Sequence, residues 1–161
     1  DETGGTLFDK LAEAGAKLLV ETLPHIFDGT AVYEKQPEES PTPYAGMITK
    51  QMGLINFGKS AAELERLVRG LNPWPSAFTF WNGKTLKVWE SFVVKSEEAG
   101  AEKSEPGTVV KTDKKGIYVA CGEDVLVLSQ VQLEGKKRMD ADAFLRGCHI
   151  ETGSRFTDKK E

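Results

Sequence analysis

Three consecutive cations, Lys136-Lys137-Arg138, follow a glycine in the run LEGKKRMD. Gly135 frees a tight turn there, and adjacent cations on a turn present positive charge in several directions, which suits phosphates. A solvated charge run is the rival reading, and composition alone leaves both open. Lys114-Lys115 is a second compact basic group. Trp81, Trp89 and Tyr118 are candidate stacking groups for bases, although aromatic residues in strands more often serve packing. Other chemistry is sparse. His25 and His149 are far apart in sequence, and neither sits in a nucleophile or carboxylate motif. No G-x-S-x-G, Walker or G-x-G-x-x-G pattern occurs. Cys121 and Cys148 have neither C-x-x-C nor metal-ligand spacing, so they read as reduced thiols used as small apolar residues. Gly4-Gly5 precedes a helix and could seat an anion, but a helix lead-in is the simpler reading. The residues therefore imply a binding or assembly module, with no catalytic set, metal site or cofactor site of its own.

Composition supports that class. The 161 residues are 29% charged and 39% hydrophobic, as in ordinary globular proteins. Apolar runs are too short to span a bilayer, and no signal-peptide pattern opens the chain. Reduced cysteines suit a cytoplasmic protein. The net charge of -4 is uneven. Residues 1–53 hold 4 basic and 9 acidic residues, whereas residues 54–161 hold 17 and 16. A near-neutral second part can still present a local basic surface.

The elements that must position the cations come next. Residues 6–27 read as a helix with Thr6 and Asp9 as a capping box. Leu7, Leu11, Ala14 and Leu18, beside Phe8, Ala12, Leu19 and Leu23, make an apolar face too wide for one neighbour. It calls for a partner, either a sheet preceding Asp1 or another chain. EKQPEESPTPYAG, with Pro37, Pro41 and Pro43, reads as a semi-rigid linker. Ser60 and Glu63 form a capping box for a helix with Leu64, Leu67, Val68 and Leu71 on one face and a Glu65–Arg69 pair on another. Pro73 ends that helix. In the corner NPWP, Trp74 is expected to plug the space between helix and sheet. AFTFW and TLKVWESFVV flank Asn82-Gly83, a hairpin signal. KSEEAGAEKSEPG reads as an acidic mobile loop. GTVVKT, IYVAC and VLVLSQVQL are further short strands joined by tight turns. A short helix spans about Ala141 to Arg146, and the last residues of the tail should fray. The fold class expected is α+β and mainly β: a small OB-like Greek-key barrel preceded by a helix.

The runs YAGMITK, INFGKSAAELERLVRGLNPWPSAFTFWNGKTLKVW, GIYVACGED and VLVLSQVQLEGKKRM, followed by FLRG and GSRF, carry a family likeness. They resemble, in order, the C-terminal half of the methionyl-tRNA formyltransferases. DETGGTLFDKLAEAGAKLLVETL is similar to the last helix of that family's Rossmann-like catalytic domain. The resemblance implies residues 1–33 as the end of the catalytic domain, 34–54 as linker and 55–161 as a tRNA-binding barrel. It implies transfer of a formyl group from 10-formyltetrahydrofolate to the amine of methionyl initiator tRNA. The family's catalytic Asn, His and Asp would lie upstream, so no catalytic role is carried onto this chain. The implied partners are methionyl initiator tRNA and the N-terminal catalytic domain, with neither membrane nor DNA. The tRNA-contacting role maps onto Lys50, Lys136, Lys137 and Arg138. The family pattern has a second lysine where Met47 stands, an acid at Gln51 and Asp-Trp at Asn56-Phe57. Related folds that act on nucleotide sugars or hydrolyse formyl-folate share the NPWP-like corner but are not expected to carry the G-K-K-R-M turn. A stand-alone RNA-binding barrel is the reading from another class.

Overall fold

The computed structural model describes residues 2–159. Helix α1 (Gly4–Phe27) starts two residues before the expected position, because Thr3 rather than Thr6 is the cap. The Thr3 hydroxyl accepts from the Thr6 N–H at 3.1 Å, and the Thr6 hydroxyl accepts from the Thr3 N–H at 3.0 Å. The first turn of the helix is tied to the NPWP corner. The Gly5 N–H donates to the Asn72 carbonyl at 2.8 Å, and a Cβ on Gly5 would meet Pro73 Cδ at 2.8 Å. Gly4-Gly5 is thus a close-approach seat on the NPWP corner, which replaces the anion reading. Beyond it the apolar face stays exposed, Phe8 at 72% and Leu18 at 64% among them.

Residues 28–49 contain no helix or strand. A 3-10 turn at Lys50–Gly53 leads into helix α2 (Ala61–Gly70), capped reciprocally by Ser60 and Glu63 as expected. Arg69 Nε donates to Glu65 at 2.9 Å. Leu64, Val68 and Leu71 are buried, and Leu67 is half-buried. The strands follow: β1 (Ala77–Trp81), β2 (Lys84–Val94), β3 (Val109–Asp113), β4 (Gly116–Ala120), β5 (Val125–Leu133) and β6 (Met139–Asp140). Two further helices are α3 (Ser96–Ala99) and α4 (Ala141–Gly147). Asn82 and Gly83 both have positive φ, at 48° and 69°, which matches the twist of a tight hairpin between β1 and β2.

The strand order is β1-β2-β5-β4-β3, with β6 on β5 and every strand pair antiparallel. Consecutive β3, β4 and β5 lie side by side and β2 returns beside β5, which is Greek-key order. The tail joins the two sheet edges. Val109 N–H donates to the Ser154 carbonyl at 2.8 Å on the β3 edge. On the β1 edge, Phe80 and Thr157 exchange backbone bonds of 3.0 and 3.1 Å. The expected fraying therefore does not reach Thr157; residues 160–161 lie outside the described residues.

Alternate residues of β4 and β5 face opposite sides of the sheet and are buried on both. Ile117 and Val119 of β4, with Leu126 and Leu128 of β5, face the main core under α2. Tyr118, Val125 and Val127 face the other side and form a second cluster with Ala101. Because VLVL is apolar on both faces, something must cover the outer one. The 95–107 connection does so, with α3 and buried Ala101, so part of the loop expected to be mobile is packed onto the sheet.

The NPWP corner also differs from expectation. Pro75 and Ser76 are buried, and the Ser76 N–H donates to the Leu71 carbonyl at 2.9 Å. They fill the inside of the corner, so Trp74 points outward at 59% exposure. No helix among the described residues is long and apolar enough to cross a membrane.

Candidate nucleic-acid interface

Strand β2 builds the centre of the basic face. Leu86 and Val88 point into the core, so Lys87 and Trp89 point outward. Val88 pairs with Val131 and Glu90 with Gln130, which leaves Trp89 as an extra residue in a bulge. Bulges re-aim side chains, and here the indole meets two cations. Lys87 Nζ lies 5.6 Å and the Arg138 guanidinium 4.9 Å from the Trp89 ring centroid.

Gln132, opposite Lys87 on β5, fixes both the ring and the turn. Its Oε1 accepts from Trp89 Nε1 at 3.1 Å, and its Nε2 donates to the Lys136 carbonyl at 2.9 Å. Gly135 makes that turn with φ 78°, a conformation that favours glycine. Arg138 folds back onto the sheet, where Nη2 donates to Glu90 at 3.0 Å and Nε to Gln130. Lys136 and Lys137 are exposed and form no ion pair among the described residues. The three cations adjacent in sequence therefore divide into two exposed ammonium groups and one guanidinium anchored to the sheet.

Lys50 stands on the same side. With Trp74, Pro75, Phe78, Thr85 and Lys87 it lines a cleft of about 480 Å³. Thr85 and Lys87 also line the adjoining cleft of about 290 Å³ with Gln132, Leu133, Glu134 and Gly135. Lys87 thus joins Lys50 to the Gly135 turn. The sequence pattern does not single out Lys87 or Gln132. The available signal was period-2 alternation in TLKVW, but cross-strand register, which places Gln132 opposite Lys87, is set by tertiary pairing.

The other candidates separate from this face. Trp81 packs edge-on against Phe144, with centroids 6.3 Å apart, and Tyr118 is buried. Neither offers a stacking surface. Lys114 and Lys115 occupy the β3–β4 turn, where the Lys115 N–H donates to Asp113 Oδ1 at 2.8 Å. Hydrogen bonding to Asp113 raises neighbouring Lys111 above its ordinary pKa. His25 Nδ1 lies 3.0 Å from the Thr30 hydroxyl at the end of α1, and His149 lies 3.8 Å from Glu151. Cys121 is buried, and desolvation pushes its thiol up to about 11. Cys148 packs partly against the core. No cluster of three or more His, Cys, Asp or Glu among the described residues could hold a metal.

The fold and the face define a small Greek-key β-barrel with a positively charged surface, entered through a capped helix and an NPWP corner. The chain belongs to the formyl transferase C-terminal domain family, whose model matches residues 47–149. Methionyl-tRNA formyltransferase of Agathobacter rectalis is 54% identical over 157 residues, 98% of this chain and 49% of that protein. Methionyl-tRNA formyltransferase of Bacillus subtilis is 47% identical over 150 residues, 92% of this chain and 46% of that protein. The chain thus spans about half the length of these curated relatives. Among solved structures, a variant of HypX from Aquifex aeolicus superposes with a TM-score of 0.61 at 11% identity, covering 89% of this chain and 26% of that one. That likeness concerns the fold alone.

Proposed function

We propose that this chain is the C-terminal, tRNA-contacting part of a methionyl-tRNA formyltransferase. The whole enzyme would move a formyl group from 10-formyltetrahydrofolate to the amine of methionyl initiator tRNA at the start of cytoplasmic translation. In this reading residues 1–33 end the catalytic domain, 34–54 link it to the barrel, and 55–161 form the barrel. Formyl transfer itself would belong to residues outside this chain. The single observation that carries the RNA-binding role is the basic face that joins Lys50, through Lys87, to the turn bearing Lys136 and Lys137. Two exposed ammonium groups on a glycine turn can follow a phosphate backbone, while Arg138, held on Trp89 and Glu90, keeps the turn in place.

The experiment is a titration of the chain with initiator tRNA at several salt concentrations. Log affinity should fall linearly with log salt, and the Lys136→Ala/Lys137→Ala variant should flatten the slope by roughly 0.9 for each phosphate it no longer neutralises. Absence of binding even at low salt would remove this reading. Formyl transfer by the chain joined to the N-terminal half of such an enzyme tests the enzymatic part separately.

A further inference from the structure

Trp74 is the indole that the corner turns toward solvent, and its surroundings point to a use. Trp89 is engaged by Lys87, Arg138 and Gln132, and Trp81 by Phe144. Trp74 has no hydrogen bond, ring partner or cation on its ring among the described residues, and it is 59% exposed. The corner that carries it is tied down on several sides. Asn72 donates from Nδ2 to the Trp89 carbonyl and accepts from Gly5 through its own carbonyl. Ser76 is bonded to Leu71, and a proline ring restricts φ on either side of the tryptophan. The backbone beneath the indole is therefore held, and a tryptophan has only two side-chain torsions to order when it captures a ligand.

Two clefts flank the indole. One, of about 370 Å³, is formed by Gly4, Gly5, Phe8, Asp9, Asn72 and Pro73 and carries an acid. The other is the cleft of about 480 Å³ with Lys50 and Lys87. An open aromatic face beside two ammonium groups matches a nucleotide, with its base on the ring and its phosphates on the cations.

We propose that Trp74 is a stacking platform for an unpaired base of the bound RNA, with Lys50 and Lys87 on the flanking phosphates. The proposal rests on the tRNA-binding reading and deepens it by naming a base contact beside the phosphate contacts.

The test measures anisotropy of fluorescein-labelled initiator tRNA with the 161-residue chain and its Trp74→Ala, Trp74→Phe and Trp74→Leu variants across several salt concentrations. Trp74→Ala should weaken binding roughly 5- to 150-fold, the range expected for removing one base stack, with an unchanged salt slope. Trp74→Phe should retain most of the affinity, and Trp74→Leu should behave like Trp74→Ala. Alanine and leucine variants that bind like the parent chain would overturn the stacking role while leaving the tRNA reading intact. Leucine performing as well as phenylalanine would reduce the contact to apolar burial and overturn it equally. A parent chain that binds no tRNA at low salt would remove both readings. A Trp74→Ala chain that binds RNA normally but loses association with a formyltransferase catalytic domain would assign the indole to a protein contact instead. As a measurement independent of the folding of the Ala and Leu variants, the chain is labelled with 5-fluorotryptophan. Its Trp74 fluorine resonance, assigned with Trp74→Phe, should shift on addition of tRNA; an unmoved resonance would overturn the proposal.

Discussion

Asn72 donates from Nδ2 to the main-chain carbonyl of Trp89 at 3.1 Å, across seventeen residues of sequence. The bond ties the corner after α2 to the bulge in β2 that turns Trp89 toward Lys87 and Arg138. The same asparagine accepts from Gly5, so one residue joins α1, the corner and the basic face.

Asn72→Ala removes this half-buried bond and leaves the Trp89 carbonyl without it. The expected cost is about 1–2 kcal/mol. It should appear as a lowered urea midpoint with an unchanged m-value.

Two substitutions on neighbouring elements should diverge. Leu64 is fully buried beneath the sheet, so Leu64→Ala should cost about 2–5 kcal/mol. Trp74→Ala should change stability by less than about 0.5 kcal/mol, because the ring lies outside the core. Thermal unfolding of the two variants beside the parent chain checks both, and a large loss for Trp74→Ala would contradict the outward orientation.

Lys87 joins the two parts of the face without belonging to the basic run. Lys87→Ala should lower tRNA affinity and reduce the salt slope by about one unit. Lys103→Ala, in the β2–β3 connection, serves as the control and should leave the slope unchanged.

Ser60→Ala removes one half of a reciprocal cap, in which the Ser60 hydroxyl accepts from the Glu63 N–H at 3.3 Å. Stability should fall by about 1 kcal/mol, and Ser60→Asp should restore most of it. Urea titration of the two variants measures both changes.

Burial of Cys121 makes stability depend on alkaline pH. Its folded pKa of about 11 lies above an unfolded value of ~8.5. The protonated thiol is favoured in the folded state, so this contribution is fully present below the unfolded pKa and is lost as pH rises through the folded one. Urea midpoints should decline between about pH 8.5 and 11, and Cys121→Ala should decline less over that range. A thiol reagent near neutral pH should modify Cys148 first and Cys121 only on unfolding.

Local signals in the sequence determined a good part of this protein. The Ser60 cap, the Glu65–Arg69 pair, the stop at Pro73 and the Asn82-Gly83 hairpin each depend on residues a few positions apart, so they can be read directly. The family runs likewise point to a formyl transferase C-terminal domain. Pairings distant in sequence decided the remainder. Trp74 faces outward because Pro75 and Ser76 occupy the inside of the corner, and hydropathy does not rank a tryptophan below a proline there. Gln132 becomes the support of the basic turn through the β2–β5 register and a bulge at Trp89. The acidic 95–107 segment is drawn onto the sheet because Tyr118, Val125 and Val127 present an apolar outer face. Lys50 is linked to the Gly135 turn through Lys87 because the barrel brings β1, β2 and β5 side by side, burying more apolar surface than any local segment can.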